Sequence, residues 1–207
     1  MLMMINNYKK GSKMETTQLA IKNMVCNRCI KVVTEELQKL GMRPIKVRLG
    51  EVELEDEISA KEVENIKTVL QANGFELLED KKQKLVEALK TLVIRQVHQN
   101  QENTPLLINY SDYLSESLDT DYAYLSAIFS AMEGITIEKY IISQKIEKVK
   151  ELLAYQEFTL SEIAYQMGYS SVHHLSNQFK KVTGITPKDY KLQNNKERKG
   201  LDKVIND

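Results

Sequence analysis

The chain has 207 residues, 29 basic against 29 acidic side chains, and 42% hydrophobic residues. That length can bury a sizeable core and accommodate two modest domains, while a formal net charge of zero leaves any preference for a polyanion to the distribution of charge. No apolar run reaches the roughly 18 residues of a membrane span, and residues 1–14 lack the apolar core of a secretion signal. The two cysteines, Cys26 and Cys29, do not form the framework of a secreted disulfide protein, so a cytoplasmic location is expected.

In chain order, residues 18–22 read as a strand. Residues 29–40 carry Ile30, Val33, Leu37 and Leu40 at helical spacing, and Gly41 is a natural stop. Residues 45–49 and 52–55 alternate as strands, and only Gly50 and Glu51 lie between them, which predicts a tight hairpin. Ser59 with Glu62 at the capping-box position opens a second helix whose apolar stripe is Val63, Ile66, Val69 and Leu70. Gly74 ends that helix and residues 75–78 form a last short strand. The predicted order is β-α-β-β-α-β, a ferredoxin-like sandwich over residues 14–80.

Beyond Lys81 the strand signal stops. Residues 82–99 form one amphipathic helix with Leu85, Val86, Leu89, Leu92, Val93 and Val97 on its apolar side. Residues 100–105 are polar and read as a connection. Short helices and one longer helix, residues 136–155, complete an all-α unit over 81–193, and residues 194–207 read as a charged, frayed tail.

An internal repeat organises the helical half. At an offset of 50 residues Ser111 falls on Ser161, Leu125-Ser126 on Leu175-Ser176, and Phe129 on Phe179 without a gap. Gly134-Ile135-Thr136 falls on Gly184-Ile185-Thr186 in the same register, and Tyr140 on Tyr190. Each copy reads as a short helix, a turn, a second helix, a glycine stop and a following helix, which is the grammar of a double helix-turn-helix.

In the second copy Thr159 or Ser161 caps the short helix, Gly168 makes the turn, and the next helix begins near Ser171. Val172, Leu175, Phe179 and Val182 are expected to face inward. Ser171, His173, His174, Ser176, Asn177, Lys180 and Lys181 then supply polar groups for base edges and cations for phosphates. The corresponding first-copy helix, residues 122–132, has no Lys or Arg; its candidate contacts are Tyr122, Ala123, Tyr124, Ala127 and Ser130. Residues 139–207 hold twelve basic and eight acidic side chains, whereas 81–138 hold five and eight, so phosphate-facing charge concentrates in the second copy.

Thr159 to Tyr169, Leu175 to Lys181 and Gly184-Ile185-Thr186-Pro187-Lys188-Asp189-Tyr190 resemble the AraC family of transcription regulators, over roughly residues 81–191. The resemblance implies two units entering successive major grooves of double-stranded DNA, joined by a linker helix carrying Ile146, Val149, Leu152 and Leu153. The chain departs from that family at Asn177 and Ala127, where arginine is frequent.

Met24-Val25-Cys26-Asn27-Arg28-Cys29 lies between the first strand and first helix and, with the strand order, resembles a heavy-metal-associated domain over residues 14–80. That implies Cu(I) or another soft metal ion at Cys26 and Cys29, with Arg28 and the helix N-terminus favouring thiolate. A Cys-x-x-Cys redox pair and a purely structural domain for homodimerisation or partner contact are the competing readings. The tight hairpin departs from the usual domain.

No nucleophile–base set, phosphate loop or paired carboxylates stand out, so an enzyme is not expected. The leading expectation is a sequence-specific DNA-binding transcription regulator that responds to a soft metal or to redox state. The alternative is a soft-metal chaperone or sequestering protein with a helical interaction module.

Overall fold

The computed structural model describes residues 16–55, 57–99, 109–155, 157–192 and 198–204. The N-terminal part runs β1 (Thr17–Lys22), α1 (Asn27–Lys39), β2 (Pro44–Arg48), β3 (Glu51–Leu54), α2 (Ala60–Ala72) and β4 (Glu76–Leu78). The four strands form one antiparallel sheet in the order β2-β3-β1-β4. Alternation puts Leu19 and Ile21 of β1, and Val52 and Leu54 of β3, in one buried cluster. Val33 and Leu37 of α1 and Ile66 and Leu70 of α2 close over it. The expected capping box is present: the Ser59 amide donates to the Glu62 carboxylate at 2.7 Å and the Glu62 amide donates to Ser59 Oγ at 3.3 Å.

The β2–β3 turn sits one residue earlier than the pattern predicted. Glu51 opens β3 opposite Arg48, and Leu49 with Gly50 make the turn. Gly50 takes φ +76, and the Ile21 amide donates to its carbonyl at 2.9 Å. The positive φ is what selects glycine, and an added Cβ would also press on the Thr91 hydroxyl of the next helix at 3.0 Å.

The C-terminal part is α3 (Lys81–His98), α4 (Tyr110–Leu118), α5 (Tyr122–Glu133), α6 (Ile137–Tyr155), α7 (Leu160–Gln166), α8 (Val172–Thr183) and α9 (Pro187–Leu192). The predicted connection over 100–105 lies outside the described residues. Helix α6 is the common spine. Its Ile137, Tyr140 and Ile141 join Leu89 and Val93 of α3, Leu114 of α4 and Phe129 of α5 in one core. Its Ile146, Val149, Leu152 and Leu153 join Ile163 of α7, Leu175 and Phe179 of α8 and Tyr190 of α9 in another.

The 50-residue repeat is a repeat of packing. Phe129 and Tyr140 meet at a tilt with ring centroids 5.5 Å apart, and Phe179 and Tyr190 meet edge-on with centroids 5.6 Å apart. Gly134 and Gly184 end the second helix of each copy at φ +72 and +82, with open space where a side chain would be. Conformation, not crowding, is what selects glycine there.

Two expectations fail. Val182 is 47% exposed instead of inward-facing. Three residues at 100° each carry it about 60° around the helix from Phe179, to the edge of the apolar stripe. The described part of the tail, residues 198–204, is docked, not frayed. Arg198 pairs with Glu151 of α6 at 2.9 Å, the Lys199 amide donates to Glu147 at 3.2 Å, and Gln144 Nε2 donates to the Leu201 carbonyl at 3.1 Å. Val204 is buried. Buried polar groups on α6 therefore hold the tail through hydrogen bonds that composition does not display.

Candidate nucleic-acid interface

The second helix-turn-helix is built from α7, a glycine turn and α8. Thr159, not Ser161, caps α7: its hydroxyl receives the Glu162 amide at 3.3 Å while the Glu162 carboxylate accepts from the Thr159 amide at 2.7 Å. That reciprocal pair, its carboxylate held below the usual carboxylate range chiefly by the Thr159 amide, fixes where the unit starts. Gly168 turns the chain at φ +69, and Ser171 Oγ accepts the His174 amide at 3.1 Å to start α8.

From that start, His173, His174, Asn177, Lys180 and Lys181 are exposed and Ser171 stands at the exposed cap, while Ser176 is half-buried. Asn177 Nδ2 lies 2.9 Å from His173 Nε2, one turn away, so the two side chains form a prepositioned pair. With the ring nitrogen accepting, the Asn177 carbonyl and the remaining amide hydrogen stay free for a base edge. His174 is held from the turn: its Nδ1 is 3.3 Å from Ser170 Oγ and its ring meets Tyr169 edge-on at 5.4 Å. The Tyr169 hydroxyl in turn donates to Gln178 at 2.6 Å. Lys180 and Lys181 are exposed and form no salt bridge among the described residues, although the Lys180 charge helps to lower the Asp189 carboxyl.

The first unit has the same frame with different chemistry. Tyr122 is half-buried, Ala123, Tyr124 and Ala127 are exposed, and Ser130 is half-buried. Asp121 caps α5, its carboxylate accepting from Ala123 and Tyr124 amides at 2.9 and 3.2 Å. Asp121 stands 50 residues before Ser171, so a negative charge occupies the place of a neutral hydroxyl. That carboxylate repels phosphate at the helix end where a phosphate would otherwise be favoured. The offset alignment carried this signal, although Asp121 was not among the predicted site residues.

Lys145 was also missed. From α6 its ammonium donates to the Met167 carbonyl at 2.8 Å and lies 5.4 and 5.5 Å from the ring centroids of Tyr110 and Tyr169. It thereby ties the start of the first unit to the turn of the second. No spacing rule places these four residues together.

The predicted thiol pair lies far along the chain, at the start of α1. Cys26 is the residue before the helix, and its Sγ is 3.4 Å from Cys29 Sγ. Burial pushes the Cys26 thiol up, but hydrogen bonds from Cys29 and the Arg28 amide, with the Arg28 charge, bring it below its ordinary value. Burial raises the Cys29 thiol. Met24 is committed to the sheet core. Among the described residues there is no cluster of three or more His, Cys, Asp or Glu side chains suited to a metal. The two adjacent soft sulfurs, one with enhanced thiolate character, fit a soft ion of low coordination number.

Residues 114–193 match the model of a family described as helix-turn-helix domain. Over 82 residues, 40% of this chain, the sequence is 32% identical to the uncharacterized HTH-type transcriptional regulator YtdP of Bacillus subtilis (strain 168). Over 66 residues, 32% of the chain, it is 30% identical to the probable transcriptional regulator LumQ of Photobacterium leiognathi. The matched parts span only 11% and 27% of those relatives. The C-terminal domain of AraT, a response regulator from Geobacillus stearothermophilus, superposes with a TM-score of 0.45 at 26% identity, covering 54% of this chain and 87% of that one. Among the described residues no helix is long and apolar enough to cross a membrane.

Proposed function

We propose that the chain is a sequence-specific DNA-binding transcription regulator of AraC type that acts in the cytoplasm and is not an enzyme. The observation that carries this reading is the face of α8. His173, Asn177, Lys180 and Lys181 form an exposed polar and cationic row, backed by the buried Leu175 and Phe179 in a helix-turn-helix frame. In this reading α8 enters a major groove, with Ser171, His173 and Asn177 at base edges and the lysines against phosphates. Helix α5 enters a neighbouring groove through Tyr124 and Ala127 and contributes shape more than charge. Selection from a random duplex library tests this. A preferred site that weakens when His173, Asn177 or Lys180 is replaced by alanine is expected; uniform, weak binding to all sequences would overturn it.

The N-terminal unit, in this reading, is a ferredoxin-like sandwich that senses a soft metal ion through Cys26 and Cys29. Its support is the strand order and the 3.4 Å sulfur pair. When bound, the ion would supply a positive charge and two sulfur bonds at the start of α1. The same sulfur pair favours a second reading, a soft-metal chaperone or sequestering protein. Titration with Cu(I), with and without Cys26→Ser, separates the two when run beside the DNA selection. Tight metal binding with no DNA preference favours the chaperone.

A further inference from the structure

A line of polar contacts leads from the cysteine loop into the helix-turn-helix domain. Asn23, in the loop before Cys26, is held in the left-handed region at φ +70. Cys29 Sγ approaches its carbonyl at 3.9 Å, and Asn23 Nδ2 donates to the Gly74 carbonyl at 3.0 Å. The Asn23 amide donates to Glu87 Oε1 of α3 at 3.0 Å. The other oxygen of Glu87 pairs with Lys90 at 3.3 Å, and Lys90 reaches Glu133, the last residue of α5, at 3.5 Å. Glu87 and Lys90 are each only 8% exposed.

Two carboxylates thus share one buried ammonium, and the Asn23 amide supplies the extra donor that Glu87 needs. Buried ion pairs are costly to desolvate, and their best-attested use is to specify one arrangement over another. The arrangement here is unbalanced. Whatever withdraws the Asn23 amide from Glu87 leaves that carboxylate short of a donor and draws Lys90 towards it. Lys90 then gives up the hydrogen bond it donates to Glu133 at 3.5 Å and closes on Glu87, its ion-pair partner at 3.3 Å. Glu133 directly precedes Gly134, the residue that ends α5.

We propose that Lys90 is a movable link through which occupation of the Cys26–Cys29 pair by a soft cation sets the position of the C-terminal end of α5. Binding at Cys29 replaces its contact with the Asn23 carbonyl and shifts the Asn23 loop. The ammonium transfers from Glu133 to Glu87, and the first unit changes its angle on α6. This rests on the soft-ion reading of the thiol pair above, but not on DNA binding.

The test is hydrogen exchange of the full chain with and without one equivalent of Ag(I), with thiol titration run in parallel. In the unmodified protein, Ag(I) should protect both thiols and change amide exchange over residues 128–136 by about fivefold or more, the lower end of typical allosteric coupling. In Lys90→Met, Ag(I) should still bind while the change over 128–136 disappears. Glu133→Gln, at a more exposed position, should act in the same way if Lys90→Met folds poorly. Ag(I) binding without a change in α5, or a change that survives both substitutions, overturns the link alone. Failure of Ag(I) to protect the thiols overturns the soft-ion reading and the link together. Affinity for a selected duplex, measured separately, reports on the DNA-binding reading.

Discussion

The Lys145 ammonium stands 5.5 Å from the centre of the Tyr169 ring, from a helix that belongs to neither recognition element. With the Tyr110 ring 5.4 Å away and the Met167 carbonyl as acceptor, it joins the two helix-turn-helix units across α6. Burial draws its pKa down, yet the two ring faces and the carbonyl favour the cation. Lys145→Met keeps the apolar stem and removes the clamp. We expect a loss of about 1–3 kcal/mol in urea unfolding. Affinity should fall for duplexes carrying both half-sites, with little change for a single half-site in fluorescence anisotropy.

The α8 row separates reading from anchoring. Asn177→Ala should cost about 1–3 kcal/mol and relax the preference at one base position. Lys180→Ala and Lys181→Ala should weaken all duplexes alike, each lowering the slope of log affinity against log salt by about 0.9. Competition binding across single-base variants at several salt concentrations distinguishes the two patterns.

Asp121 gives the first unit an opposite expectation. Asp121→Ser retains a side-chain cap on α5 at a stability change of a few tenths of a kcal/mol and removes the carboxylate. Duplex affinity should rise, and rise most at low salt, because the lost repulsion is electrostatic. Unchanged affinity in anisotropy would show that α5 does not approach phosphate.

His98 predicts a pH dependence. Its Nε2 faces Gln144 Oε1 at 2.9 Å, its Nδ1 is buried without a partner, and burial lowers its pKa from 6.5 to about 4. Between those values the unfolded chain binds a proton that the folded chain refuses, so stability falls as pH drops from about 6.5 to about 4 and levels off below. The loss is on the order of 3 kcal/mol at most. His98→Gln should flatten that part of the profile, read by urea unfolding at pH 7 and pH 5.

Much of the helix-turn-helix domain was legible because its chemistry is local or periodic. Capping pairs act over three residues, so Ser59 with Glu62 could be read directly, whereas the choice of Thr159 over Ser161 waited for the structure. Glycines at positive φ mark the ends of α5 and α8 for the same reason. The exposure of His173, Asn177, Lys180 and Lys181 followed from the buried stripe of Leu175 and Phe179 on the opposite side. Val182 did not follow, because the edge of a stripe depends on what covers it.

By itself, the sequence determined the β-α-β-β-α-β order, the two-copy helical frame, the aromatic and glycine positions that repeat at 50 residues, and the polar face of α8. These depend on backbone preference and on hydrophobic periods of two and about 3.6 residues, which are written in short windows. Only the tertiary structure decided the contacts between windows. It set Lys145 between Tyr110 and Tyr169, the tail against Glu147 and Glu151, and the Asn23 loop against Glu87, Lys90 and Glu133. Partners that lie between 22 and 64 residues apart carry no shared period. Their pairing depends on burial that removes water from both partners, and burial exists only once the helices have packed.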